Sequence, residues 1–131
     1  MNLDRYSGPM LSILRIMTGL LFLEHGMAKL LHFPPMEMFA QSPPVGSMIW
    51  FSGALELVGG ALITVGLFTR PTAFILAGEM AVAYFMVHAQ QGFFPIQNQG
   101  EGAILYCFIF LYLVVAGGGP WSLDRTLLKR S

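Results

Sequence analysis

Three side chains have the chemistry for proton and charge handling at a carbonyl: His25, Lys29 and Glu56. An imidazole and a carboxyl exchange protons with the carbonyl oxygen, and an ammonium stabilises the negative charge that develops there. Arg15, Asn98 and Glu101 are polar candidates for binding a cofactor beside them, with Glu79 and His88 as further ionisable groups. Their setting makes them notable. Arg15, Glu24, His25 and Lys29 all stand inside one apolar run, residues 10–31. Charged side chains are costly in hydrocarbon, so a spanning helix keeps them only where something holds or uses them.

On a helical wheel Arg15, Thr18, Gly19, Phe22, His25, Gly26 and Lys29 share one face, and that face should look inward at other helices. Glu24 points nearly the opposite way, either outward towards water or against a neighbouring subunit, which is a pointer to a homo-oligomer or a partner protein. Depths at about 1.5 Å per residue put Glu56 and Glu79 near mid-membrane. His25, Lys29, Asn98 and Glu101 then form a cluster with Glu56 that opens outward, and Arg15 pairs deeper with Glu56 or Glu79. A buried acid without a partner holds a proton rather than a charge. Glu56 and Glu79 can therefore be neutral hydrogen-bonding acids, proton-relay groups or members of an ion-pair network that fixes helix register.

Other site chemistries fit less well. Bis-histidine haem ligation needs two imidazoles at one depth, and His25 lies about two turns deeper than His88, while His32 stands in a proline-rich loop. No metal site is expected, because no histidine or acid pair has ligand spacing on one helix face. A quinone asks only for an apolar slot with one or two polar groups, which His25, Glu56, Tyr84 and His88 can provide. Phe22, Phe85, Phe93, Phe94 and Tyr106 read as packing or interfacial aromatics.

The elements that must position these groups follow from hydropathy. The 131 residues are 55% hydrophobic and 11% charged with zero net charge, which fits a polytopic membrane protein in a lipid bilayer and gives no reason to expect nucleic acid as a partner. Four apolar runs predict helices at about residues 10–31, 47–68, 71–88 and 101–116. Pro34-Pro35 and Pro43-Pro44 break the first connection, where Met36, Met38 and Phe39 can lie on the membrane surface. Arg5, Arg70, Arg125, Lys129 and Arg130 fall on one side, and the loops of the other side have no Lys or Arg. The expected fold is thus an all-α, single-domain, antiparallel four-helix transmembrane bundle over residues 1–131, with both termini cytoplasmic. The first run carries charges and no cleavage site follows it, so it reads as an anchor rather than a signal peptide. One cysteine, Cys107, allows no dithiol within the chain.

The run His25-Gly26-Met27-Ala28-Lys29-Leu30, preceded by Arg15 and Gly19, resembles the first-helix signature of the DoxX family. Glu56-Leu57-Val58-Gly59-Gly60 and Gly66-Leu67-Phe68-Thr69-Arg70 are similar to its second helix and turn. Asn98-Gln99-Gly100-Glu101 and Gly117-Gly118-Gly119-Pro120-Trp121-Ser122-Leu123-Asp124 are similar to its last helix and exit. The resemblance spans nearly the whole chain in order. It implies a small protein of the bacterial inner membrane, whose relatives include a subunit of archaeal thiosulfate:quinone oxidoreductase and proteins associated with thiol or quinone redox stress. By matching position it points to Arg15, His25, Lys29, Glu56, Arg70, Asn98, Glu101 and Asp124. Three functions stay open at this stage: a redox-linked subunit or accessory working with quinone or a thiol-oxidoreductase partner, a non-catalytic anchor or assembly factor, and a small proton-coupled carrier. The single cysteine argues against a thiosulfate-oxidising site in this chain.

Overall fold

The computed structural model describes residues 2–36, 41 and 43–129. Its regular elements are all helical, in the order α1 (Ser7–Leu30), α2 (Met48–Val65), α3 (Thr69–Ala83), α4 (Pro95–Asn98), α5 (Glu101–Ala116) and α6 (Leu123–Leu127). A 3-10 turn precedes α1, and α3 continues through a π-helical stretch, Tyr84–His88, into a 3-10 turn, Ala89–Gln91. Three of the helical segments, Asp4–Leu30, Met48–Val65 and Thr69–Gln91, are long and apolar enough to cross a membrane. The fourth, α5, is apolar but shorter, about 24 Å at the helical rise. Met38, Phe39 and Arg130 lie outside the described residues.

Helix ends depart from hydropathy where local chemistry stops or starts them. The α1 helix begins at Ser7, ahead of the apolar run, because Pro9 falls in its first turn, where a missing N–H costs nothing. Ser47 caps α2 by accepting from the Trp50 N–H at 3.3 Å. Gly66 ends α2 in the left-handed conformation, φ +74°, three residues before the apolar run gives out. The α3 helix opens at Thr69 rather than Pro71, because Asp124 accepts from the backbone N–H groups of Phe68 and Thr69 at 2.6 and 2.9 Å. The carboxylate thereby satisfies donors that a helix start leaves open.

The α1 helix packs along α2, α3 packs along α5, and α2 lies against α3. The core between them is Phe22, Ile63, Ala73, Leu76, Phe110 and Leu113 with their neighbours. The α1–α2 contact is close because small residues line it. A Cβ on Gly60 would lie 2.6 Å from the Leu23 backbone nitrogen, and one on Gly26 would strike the backbone of Leu57. This proximity decides which polar groups can meet.

Candidate functional site

A polar network with one buried carboxyl at its centre joins α1, α2 and α3. Lys29 of α1 reaches Glu56 of α2, with Nζ 2.8 Å from Oε2. The same ammonium donates to Ser52 Oγ at 3.0 Å. Ser52 stands one turn before Glu56, and its Oγ is 2.9 Å from Glu56 Oε2 and 2.7 Å from Glu79 Oε2 of α3. Glu56 is 2% exposed, whereas the Lys29 side chain keeps 16% exposure and forms the mouth of the network.

Proton counting in this network is informative. A serine hydroxyl has one proton to give and two lone pairs to receive with. Lys29 occupies one lone pair, so the hydroxyl donates to one carboxyl and can receive only from the other. The arrangement is satisfied when one of Glu56 and Glu79 carries a proton and donates it to Ser52 Oγ. Each carboxyl also leaves its buried Oε1 without a hydrogen-bond partner among the described residues. Chemically this is an ammonium, a hydroxyl and two carboxyls joined by short hydrogen bonds, an arrangement able to hold a proton and pass it on.

His25 stands apart from the network. Its ring is exposed, with Nδ1 2.9 Å from the Leu21 carbonyl oxygen. A carbonyl only accepts, so Nδ1 carries a proton, and Nε2 faces away from that bond. Tyr106 packs edge-on to the ring at 6.0 Å between centroids. His88 is held likewise, donating through Nδ1 to the Asn98 carbonyl at 2.9 Å.

The expected pairing of Arg15 with Glu56 or Glu79 does not form. Arg15 is 1% exposed, and its guanidinium donates to the carbonyls of Ile63 at 2.9 Å, Trp121 at 2.9 Å, Thr64 at 3.5 Å and Gly118. Fourteen residues of helix, about 21 Å, separate it from Lys29. The depth argument placed Arg15 on the inward face, but the C-terminal end of α2 and the 118–121 turn present free carbonyls there, which a guanidinium fork matches. Nor do Arg15, Asn98 and Glu101 form one cofactor cluster. Asn98 is fully buried and serves its own loop: its amide donates to Tyr84 Oη at 3.2 Å and the Gly92 carbonyl at 2.9 Å, and its Oδ1 accepts from the Gly100 N–H at 2.8 Å. Glu101 is exposed in the first turn of α5, where a negative charge complements the helix dipole. Arg70 donates to the Val114 and Val115 carbonyls, both at 2.8 Å, at the other end of that helix.

Of the predicted chemical residues, the structure therefore brings Lys29 and Glu56 together and adds two more. Glu79 was visible as a mid-span acid, read as a relay group or a partner of Arg15 rather than as a neighbour of Ser52. Ser52 was missed, although its position four residues before Glu56 on one helix face is a readable signal.

Comparison with known proteins finds relatives along nearly the whole chain. An uncharacterised protein of Haemophilus influenzae is 46% identical over 98% of both chains. The inner membrane protein YqjF of Escherichia coli is 29% identical over 90% of this chain and 92% of its own. A Bacillus subtilis protein named "Putative oxidoreductase CatD" is 28% identical over 89% of this chain and 86% of its own. No solved structure matches. The DoxX family model matches residues 10–89, which include Lys29, Ser52, Glu56 and Glu79. With that match and a relative nearly half identical along its whole length, the chain belongs to the DoxX family of membrane proteins.

Proposed function

We propose that this protein is a redox-linked membrane subunit that handles the protons of a quinone while a partner oxidoreductase supplies the electrons. The observation that carries the reading is the Lys29–Ser52–Glu56–Glu79 network, in which two carboxyls meet one hydroxyl beside an ammonium and could pass a proton between them. Reducing a quinone to a quinol consumes two electrons and two protons. The chain has a single cysteine and so no dithiol of its own to provide the electrons, hence the partner. Glu56 and Glu79 would deliver each proton through Ser52, and Lys29 would stabilise the anionic oxygen between the two protonations. The oxidoreductase name carried by the Bacillus relative supports the same theme.

The reading includes a topology. An antiparallel four-helix bundle in the inner membrane with cytoplasmic termini is supported by the basic residues Arg5, Arg70, Arg125 and Lys129 and by the name of the Escherichia coli relative. The network then runs from mid-membrane at Glu56 and Glu79 to Lys29 on the outer side.

A second reading, a non-catalytic anchor, draws on Arg15, a buried charge spent wholly on holding backbone carbonyls. One experiment separates the two. Membranes containing Glu79→Gln or Ser52→Ala protein at wild-type abundance should lose most quinone-dependent turnover by the partner while the complex is recovered intact. Full turnover would refute the proton-handling role, and reduced complex recovery with normal turnover per complex would favour the anchor.

A further inference from the structure

Glu24 presents a problem that the chain alone does not solve. It is exposed, on the face of α1 opposite the buried Arg15, Gly19, Phe22 and Gly26, among exposed Met17, Leu20 and Leu21. It lies six residues, about 9 Å, inside the C-terminal end of a helix long enough to span a bilayer. Side chains on a helix lean towards its N-terminus, so Glu24 leans away from the nearer water rather than towards it. A carboxyl so placed in a membrane faces protein or a polar partner, not lipid.

The adjacent residue supplies the complement. His25 is also exposed, and its Nδ1–H is spent on the Leu21 carbonyl, which leaves Nε2 as an acceptor pointing away from its own backbone bond. Neighbouring helical residues are about 100° apart. Midway between Glu24 and His25 runs a strip of Met10, Leu14, Met17 and Leu21, at the four-three-four spacing that lets two helices pack along a seam. If two copies meet along this strip, with a two-fold axis parallel to α1, Glu24 of each faces His25 of the other. The same pair forms twice, which is the self-complementarity an isologous interface requires.

We infer that two copies of this chain associate in the membrane through α1, with Glu24 of each hydrogen-bonded to His25 Nε2 of the other. One proton per pair suffices: the carboxylic acid donates to Nε2, or the imidazolium donates to the carboxylate. The charge complementarity of two adjacent exposed groups selects a second copy over lipid or an unrelated helix. His25 thereby acquires a place outside the proton-handling network, and the inference stands whether or not that network works on quinone.

The test uses full-length protein in native membranes and in mild detergent. In a Cys107→Ala background, Leu21→Cys should form a disulfide-linked dimer on mild oxidation, and exposed Phe74→Cys on α3 should not. By native mass spectrometry, Glu24→Leu and His25→Leu should each weaken the dimer about tenfold or more, since each change removes both interhelical bonds. The exchange Glu24→His with His25→Glu keeps both pairs across a two-fold axis and should restore the dimer. A monomeric wild type, an undiminished Glu24→Leu dimer, or crosslinking at Phe74→Cys but not at Leu21→Cys would overturn the inference.

Discussion

Removing the Ser52 hydroxyl tests the network at its hub. In Ser52→Ala, Lys29 keeps its 2.8 Å contact with Glu56 Oε2, so the ion pair survives. Glu79 fares worse, because Ser52 is the hydrogen-bond partner of its Oε2 and its Oε1 already has no donor. Leaving a buried polar group unsatisfied costs about 1–3 kcal/mol, and losing the hydrogen bond between Ser52 and Glu56 adds about 1 kcal/mol. The methyl left behind creates almost no cavity. The expected loss is therefore about 2–4 kcal/mol, or roughly 30- to 1000-fold in the folding equilibrium. Ser52→Thr, which keeps a hydroxyl, should lose much less. Reversible unfolding of the purified protein in mixed micelles would measure these differences. A double-mutant cycle with Glu79→Gln should then give a coupling energy above about 1 kcal/mol, since both changes act on one contact. A Ser52→Ala loss within about 0.5 kcal/mol of zero, or strict additivity with Glu79→Gln, would refute the claim that the serine bridges the carboxyls.

Arg15→Lys should destabilise the protein by about 2–4 kcal/mol in the same unfolding assay, because an ammonium cannot reproduce a fork that reaches four carbonyls. Gly60→Ala should cost about 1–3 kcal/mol by pushing α1 from α2, whereas Gly78→Ala, which would meet nothing within 4 Å, should be neutral or slightly stabilising. Asn98→Ala should leave the spanning helices intact but speed amide hydrogen exchange across residues 92–100, since it removes the three side-chain bonds that close that loop. Asp124→Asn should loosen the start of α3 by about 1 kcal/mol, read as faster exchange at Phe68 and Thr69.

Hydropathy was a good guide to the helices and a poor one to their ends. Apolar length locates α1, α2, α3 and α5 to within a few residues, because burial in lipid demands it. The end of α2 and the start of α3 follow instead from Gly66 and from Asp124, a residue more than fifty positions away. The site divides in the same way. Lys29 and Glu56 were legible because charge inside an apolar run is conspicuous. Ser52 was not, because a serine in such a run is chemically quiet until a third helix brings Glu79 to it. Arg15 misled for a related reason: the wheel gives the direction of a side chain, but carbonyls at the end of another helix leave no mark in sequence.

The tie between Asp124, Arg15 and the α2–α3 turn has a consequence for biogenesis. Residues 118–124 supply acceptors to a guanidinium in α1 and a cap to α3, so one cluster staples together segments made at well-separated times. Until α5 has left the ribosome and entered the bilayer, Arg15 has only the α2 carbonyls, and the first turn of α3 has exposed amides. A chain stalled before residue 118 would thus display a partly unbonded guanidinium and a frayed helix to the insertion machinery and to membrane proteases. Once residues 118–124 dock, both are covered, so the exposure of two early helices is tied to the arrival of the segment that follows α5.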